Sequence, residues 1–339
     1  MRKFAGMAAS LLMVMAGSQS WKASAADVVI REWVVPYPNS RPRDPCVADD
    51  NTVWFVGQGG HYLGKFEVDT AHFSRVLLAD GAGPHNCIVD AAGQIWYAGN
   101  RQALIGRYDP RTAELHRIAM PEPAARDPHT LVADGKGHIW FTVQAANRVG
   151  RLHTATEKID LVRVPTARAR PYGIVLAADG TPWVALFGTN RLARVDPNTL
   201  VLKEIELPRS DAQPRRIALG RNGNLWYVDY AQGFLGSYST TRGVFKEWRT
   251  PSAGNSRPYA MTIDSDDRIW FVETGPQPNR LVGFDPKQEK FFSSTEIPSG
   301  GGAVRNMVYY PPTHSLWFGT DTNTLARVTL PPHKPMDTR

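Results

Sequence analysis

Cysteine is nearly missing from this chain: among 339 residues only Cys46 and Cys87 occur. That scarcity excludes a disulfide framework, and with no C-x-x-C spacing it also excludes a thiolate zinc site. A bridge between the two demands a narrow geometry, so a pair of buried thiols is the simpler expectation. Lys/Arg-rich runs are missing too, because the 39 basic residues lie scattered among 32 acidic ones. No electrostatic footprint for nucleic acid follows from such a pattern. No apolar run reaches the ~20 residues of a membrane span, and no segment keeps a helical hydrophobic period.

The one marked apolar stretch lies at the start, from Phe4 to Ala16, after Arg2-Lys3 and before Ala23-Ser24-Ala25. A basic start, a short apolar run and a small-residue site make a secretory signal peptide, here residues 1–25. The expectation is an exported protein, periplasmic or secreted. Residues 1–25 hold Arg2, Lys3 and Lys22 but no acid, so their removal lowers the formal charge from +7 to +4.

What the chain does have is a recurring tryptophan. Trp54, Trp96, Trp140, Trp183, Trp226, Trp270 and Trp317 follow one another at intervals of 42 to 47 residues. A period of roughly 40 to 45 residues is the length of one four-stranded propeller blade. Within a period, short β-branched runs alternate with turns. In the third, Pro128 to Ala133, Ile139 to Thr142, Arg148 to Leu152 and Lys158 to Val164 read as four strands. The fold class expected is all-β, a seven-bladed β-propeller over residues 26–331, with 332–339 as a tail. Arg31-Glu32-Trp33-Val34-Val35-Pro36 repeats the outer-strand phrase Lys246-Glu247-Trp248-Arg249-Thr250-Pro251, and the seventh period stops without one. Residues 28–35 are therefore expected to complete the last blade, which removes an open edge.

The tryptophans, one on the second strand of each blade, read as packing between sheets. Chemistry belongs at the channel mouth, where the segment before each inner strand meets the loop after the second strand. Twelve residues before six of the tryptophans stands a proline: Pro42, Pro84, Pro128, Pro171, Pro214 and Pro258. The next residues are Arg43, His85, His129, Tyr172, Arg215 and Tyr259, and Arg305 is the equivalent in blade seven. Gln58, Gln144, Asp229, Tyr230, Glu273 and Asp321 follow the tryptophans on the same side. A cup of His, Tyr and Arg with a few carboxylates suits acid/base work on an anionic or carbonyl-containing small molecule.

Pro171-Tyr172-Gly173-Ile174, His138-Ile139-Trp140-Phe141-Thr142 and Asn147-Arg148-Val149-Gly150-Arg151 resemble the phrases of the streptogramin lyases, also called virginiamycin B lyases. The likeness runs through all seven periods. It implies opening of a cyclic depsipeptide at its ester by elimination, with Mg²⁺ near the site. That family's site uses Pro-His phrases in the last two blades, a glutamate after the last tryptophan and a first-blade tyrosine. The matching positions here are Tyr259, Arg305, Asp321 and Arg43, which is a different set. Turned around the ring, His85, His129 and Tyr172 reproduce the order His, His, Tyr, with Gln144 in place of the acid. The expectation is then an exported carbon–oxygen lyase, a monomer, in which His85 or His129 removes a proton next to a carbonyl. Tyr172 with Arg215 or Arg216 would steady the oxyanion, with Arg43, Tyr259, Arg305, Gln144 and Tyr230 against the substrate. Glu273 and Asp321 are the carboxylates on offer to Mg²⁺. The alternatives are a non-catalytic propeller with an arginine-rich mouth and a lactone or ester hydrolase.

Overall fold

The structure, a computed structural model, describes residues 28–331; the expected signal peptide and the tail at 332–339 lie outside the described residues. Seven antiparallel sheets of four strands follow one another around an axis, six of them ordered from inner to outer strand as the chain runs and the seventh taking its outer strand from the start of the described chain. The inner strands are Pro42–Asp49, Cys87–Val89, Pro128–Ala133, Pro171–Leu176, Pro214–Leu219, Pro258–Ile263 and Val304–Tyr310, which begin blades one to seven. The expected all-β propeller is what forms.

The local phrases prove to be structural. All seven repeated tryptophans are buried. In two blades the indole N–H reaches the aspartate that opens the preceding turn, Trp96 to Asp90 and Trp270 to Asp264, each at 2.8 Å. A buried indole N–H favours such a partner, and in these two blades it links the Asp-turn to the tryptophan. The third-strand glycine has a packing reason, for a Cβ at Gly150 would collide with the ring of Phe141. Asn147 sits in the left-handed region at φ 57° and donates to the carbonyls of Val164 and Thr166.

Closure is made by the first described strand. Val29–Val34 pairs antiparallel with Thr324–Thr329, from Val29 opposite Thr329 to Val34 opposite Thr324. Glu32 fastens it, accepting from the backbone N–H of Ser299 at 2.7 Å and from the hydroxyls of Ser299 and Thr324 at 2.6 Å. Trp33 stacks on Trp317 at 5.8 Å between ring centres. Without this strand the buried face of blade seven and one sheet edge meet water. A protein lacking residues 28–36 should therefore melt at a lower temperature and less cooperatively; an unchanged thermal transition would show that the ring closes without the strand.

Candidate active site

Most inner strands bulge just past their first residues, and this shapes the mouth. The register slips between Arg43 and Cys46, Pro128 and Leu131, Pro171 and Ile174, Pro214 and Arg216, Pro258 and Met261, and Val304 and Met307. A bulge sets two residues against one and re-aims their side chains. In blades one, three and five two successive side chains, Arg43 and Asp44, His129 and Thr130, and Arg215 and Arg216, thereby meet at the axis in an upper and a lower layer.

The upper layer brings the expected residues together. The rings of His85 and His129 lie 3.6 Å apart, and those of His129 and Tyr172 lie 4.1 Å apart. Tyr172 and Tyr259 share a short hydroxyl–hydroxyl hydrogen bond. Arg215 lies over Tyr259 at 3.6 Å and over Tyr230 at 4.4 Å, and Phe187, unforeseen in the sequence, adds a further wall at 4.6 Å. Arg43 donates to the side-chain oxygen of Gln58 at 3.0 Å. Gln144 is half-buried on its loop and joins none of these bonds.

Of the lower layer the sequence points to Arg216 alone, and Asp44 is new. Asp44, fully buried at φ 46°, accepts from Arg43 at 3.2 Å, from Asn86 at 3.1 Å and from Arg216 at 3.3 Å. Arg216 crosses the channel, donating also to the Thr130 hydroxyl at 3.1 Å and to the Arg305 carbonyl at 3.0 Å. Gly173 makes room for it, because a Cβ there would stand 3.0 Å from the Arg216 Cα. The signal was available one residue further along each inner strand, where Asp44 and Arg216 are opposite charges on opposite sides of the ring. Together they floor the mouth; below them the channel widens into a cavity of about 560 Å³ with largely aliphatic walls such as Val132 and Val175. Cys46 and Cys87 line that lower cavity as buried free thiols.

Electrostatics divide the cluster. Burial, followed by the positive field of Arg43, holds His85 well below its ordinary 6.5. Burial, followed by Arg216, does the same to His129, whose Nδ1 shares a hydrogen bond with the Thr130 hydroxyl at 2.9 Å. Tyr172 goes the other way from a buried phenol. Burial alone would raise it, but Arg215, Arg216 and Arg43 outweigh that and bring it down to about 8. Its partner Tyr259 is pushed up, by burial first and then by Tyr172.

Both histidines are neutral in the folded protein, whereas the unfolded chain protonates them below about 6.5. Depressed folded values mean the unfolded state binds more protons in that window. Stability is therefore expected to be full above 6.5 and to fall as pH drops below it. Urea melts across this range check the slope, which should flatten in a His85→Ala/His129→Ala variant.

The carboxylates proposed for Mg²⁺ are otherwise engaged. Glu273 is fully buried and accepts from the N–H and hydroxyl of Ser252 at 2.8 and 2.6 Å, tying down the loop before blade six. Asp321 is hydrogen-bonded by Arg305 and faces Arg41 at 3.5 Å. Asp229, expected at the mouth but not as a metal ligand, is held by Arg209 at 2.5 Å and by the N–H of Gln213 at 2.8 Å. Among the described residues no three His, Cys, Asp or Glu side chains converge as ion ligands. Mg²⁺ wants a near-octahedral set of oxygens including carboxylate, and this donor set does not fit it.

Fold and site together define a seven-bladed propeller with a buried His/Tyr/Arg centre at one mouth. Residues 15–195 match the family model described as the virginiamycin B lyase family, and the chain belongs to that family. Among solved structures it is similar to the virginiamycin B lyase of Staphylococcus aureus, at 21% identity and a TM-score of 0.81, covering 90% of this chain and 100% of that one. A streptogramin B lyase structure aligns at 24% identity and a TM-score of 0.80, covering 89% and 97%. A propeller described as YCF48 bound to D1 peptide aligns at 10% identity and a TM-score of 0.71, covering 91% and 97%. At these identities the structural likeness speaks for the fold. No curated protein matches the sequence at a significant level.

Proposed function

We propose that the mouth is an active site for carbon–oxygen elimination on an ester- or lactone-type or cyclic depsipeptide substrate, and that Tyr172 is its base. The observation that carries this reading is the setting of the Tyr172 hydroxyl, paired with Tyr259, 3.5 Å from Arg215 Nη2 and with Arg216 5.2 Å from its ring, a positive surrounding that lowers its pKa. A base must be both available and strong near working pH. His85 and His129 are available but weak, since their protonated forms are so disfavoured. The roles expected from the sequence are therefore exchanged: Tyr172 takes the proton beside the carbonyl, and the neutral histidines donate hydrogen bonds to the oxygen where charge develops. Tyr259 donates to the Tyr172 oxygen and keeps it aimed. Family membership supports the reaction class.

The second reading is a propeller that binds an anion and does not turn it over. Arg215, held among aromatic faces, supports it. A hydrolase reading draws no support from carboxylates committed to Ser252 and Arg305. The pattern of residues 1–25 supports export, and we further propose a monomer acting on a small molecule; among the described residues no helix is long and apolar enough to cross a membrane.

A screen of purified protein against cyclic depsipeptides, lactones and simple esters, with and without Mg²⁺, tests the proposal. Elimination opens a cyclic substrate to a product of unchanged mass, whereas hydrolysis adds one water. Turnover lost in Tyr172→Phe with an unchanged melt supports the assignment. A ligand that binds tightly and is never converted would favour the second reading.

A further inference from the structure

We infer that the ligand of this mouth is a carboxylate, docked on Arg215 and Arg43; the inference rests on the elimination reading and adds the charge of its substrate. Arg215 has no acidic partner among the described residues. Its guanidinium lies 3.6 to 5.0 Å from the ring centres of Tyr259, Tyr230, Phe187 and Tyr172, and its one hydrogen bond, to the Tyr172 hydroxyl, is 3.5 Å long. Its Nε is buried and unpartnered. Nη2 of Arg43 and Nδ1 of His85 are buried and unpartnered as well, on residues only 4% and 6% exposed. Native interiors rarely leave such atoms unsatisfied, and each one left so is destabilising. Two guanidine N–H groups, beside an imidazole nitrogen that donates in one of its tautomers, call for a ligand that accepts.

Charge points the same way. Arg43 and Arg216 share the single carboxylate of Asp44, and Arg215 has none, so three guanidiniums face one acid. Asp44 ties Arg43 to Arg216, whose guanidinium lies 5.2 and 6.0 Å from the rings of Tyr172 and Tyr259, the same two rings that Arg215 faces. Apart from the Tyr172 hydroxyl, no acceptor among the described residues meets the N–H edge of Arg215. A planar carboxylate meets that edge in plane through two N–H groups.

Such docking also solves a chemical problem. A carbon beside a carboxylate gives up a proton reluctantly, because a second negative charge builds next to the first. Guanidiniums on the carboxylate offset that repulsion. The Tyr172 phenolate then takes the proton from that carbon, and the freed electron pair forms a double bond to the next carbon. The bond from that carbon to its oxygen breaks, and the departing oxygen recovers the proton from Tyr172. The tyrosine ends as it began, and no oxidant or reductant is required.

Benzoate and its uncharged counterpart benzamide probe the site without any knowledge of the substrate. Calorimetry on the whole protein at neutral pH should show benzoate binding and benzamide weaker by roughly ten- to a hundredfold, the worth of a charged hydrogen bond. Arg215→Gln should lose benzoate by a similar factor while keeping its thermal melt. Equal binding of the two probes, no binding of benzoate, or full binding by Arg215→Gln would each overturn the inference. The elimination reading fails separately. Benzoate binding with no turnover of any ester removes elimination and leaves the carboxylate site, whereas methyl esters eliminated as fast as their free acids do the reverse.

Discussion

Turnover by the Tyr172→Phe variant is expected to fall by roughly 10²- to 10⁴-fold, the usual contribution of a positioned acid/base group. The substitution removes one oxygen from a side chain that otherwise packs against His129 and Phe187, so the fold should stand. The pH profile separates this from a loss of packing. With Tyr172 as base, the ionised form is the active one, so wild-type activity should rise with pH through about 8. With a histidine as base, the rise would come well below 6.5 and activity would be level by neutral pH. Rates from pH 5 to 9.5 on any substrate that the screen yields make the comparison. A profile level above 6.5, or a Tyr172→Phe variant within a few-fold of wild type, would return the base role to His85 or His129.

Asp44→Ala should be the most damaging change for stability among the mouth residues, costing about 3–5 kcal/mol. Removing one partner of a buried ion pair leaves the other charge uncompensated, and Asp44 serves two guanidiniums. Arg43 and Arg216 would face each other across the channel without their shared acid. The field on Tyr172 would change with them. Chemical denaturation measures the loss directly. A destabilisation below about 1 kcal/mol, the range of exposed pairs, would mean that the two arginines find water or another acceptor and that the floor of the mouth is not held by Asp44.

How the chain reveals itself differs between ring and site. The tryptophan interval exposed the blade count because each indole packs in the same gap between sheets, and Arg31 to Pro36 exposed the closure because an outer strand without a blade must find one. The nearness of His85, His129 and Tyr172 was likewise legible, since counting back from each tryptophan sets neighbouring inner strands in register. Strict strand alternation, however, sends the next residue outward. The bulge breaks that alternation, so nothing in the strand pattern points to Asp44 or pairs it with Arg216. Glu273 misled for a different reason. Its place after a tryptophan suggested the mouth, but Ser252, 21 residues earlier, takes both its oxygens. The ionisation of Tyr172 had no local signature at all. It depends on Arg43 from blade one and on Arg215 and Arg216 from blade five, whose approach to a blade-four phenol only the closed ring brings about.

Tyrosinate formation, followed by ultraviolet difference absorbance during a pH titration of the wild type and of Tyr172→Phe, tests the central claim without any substrate. The account predicts one tyrosine ionising with a midpoint near 8 in the wild type, and the loss of that step in the variant. Absence of any tyrosinate signal until the ordinary range near 10, or a step near 8 that persists in Tyr172→Phe, would contradict it.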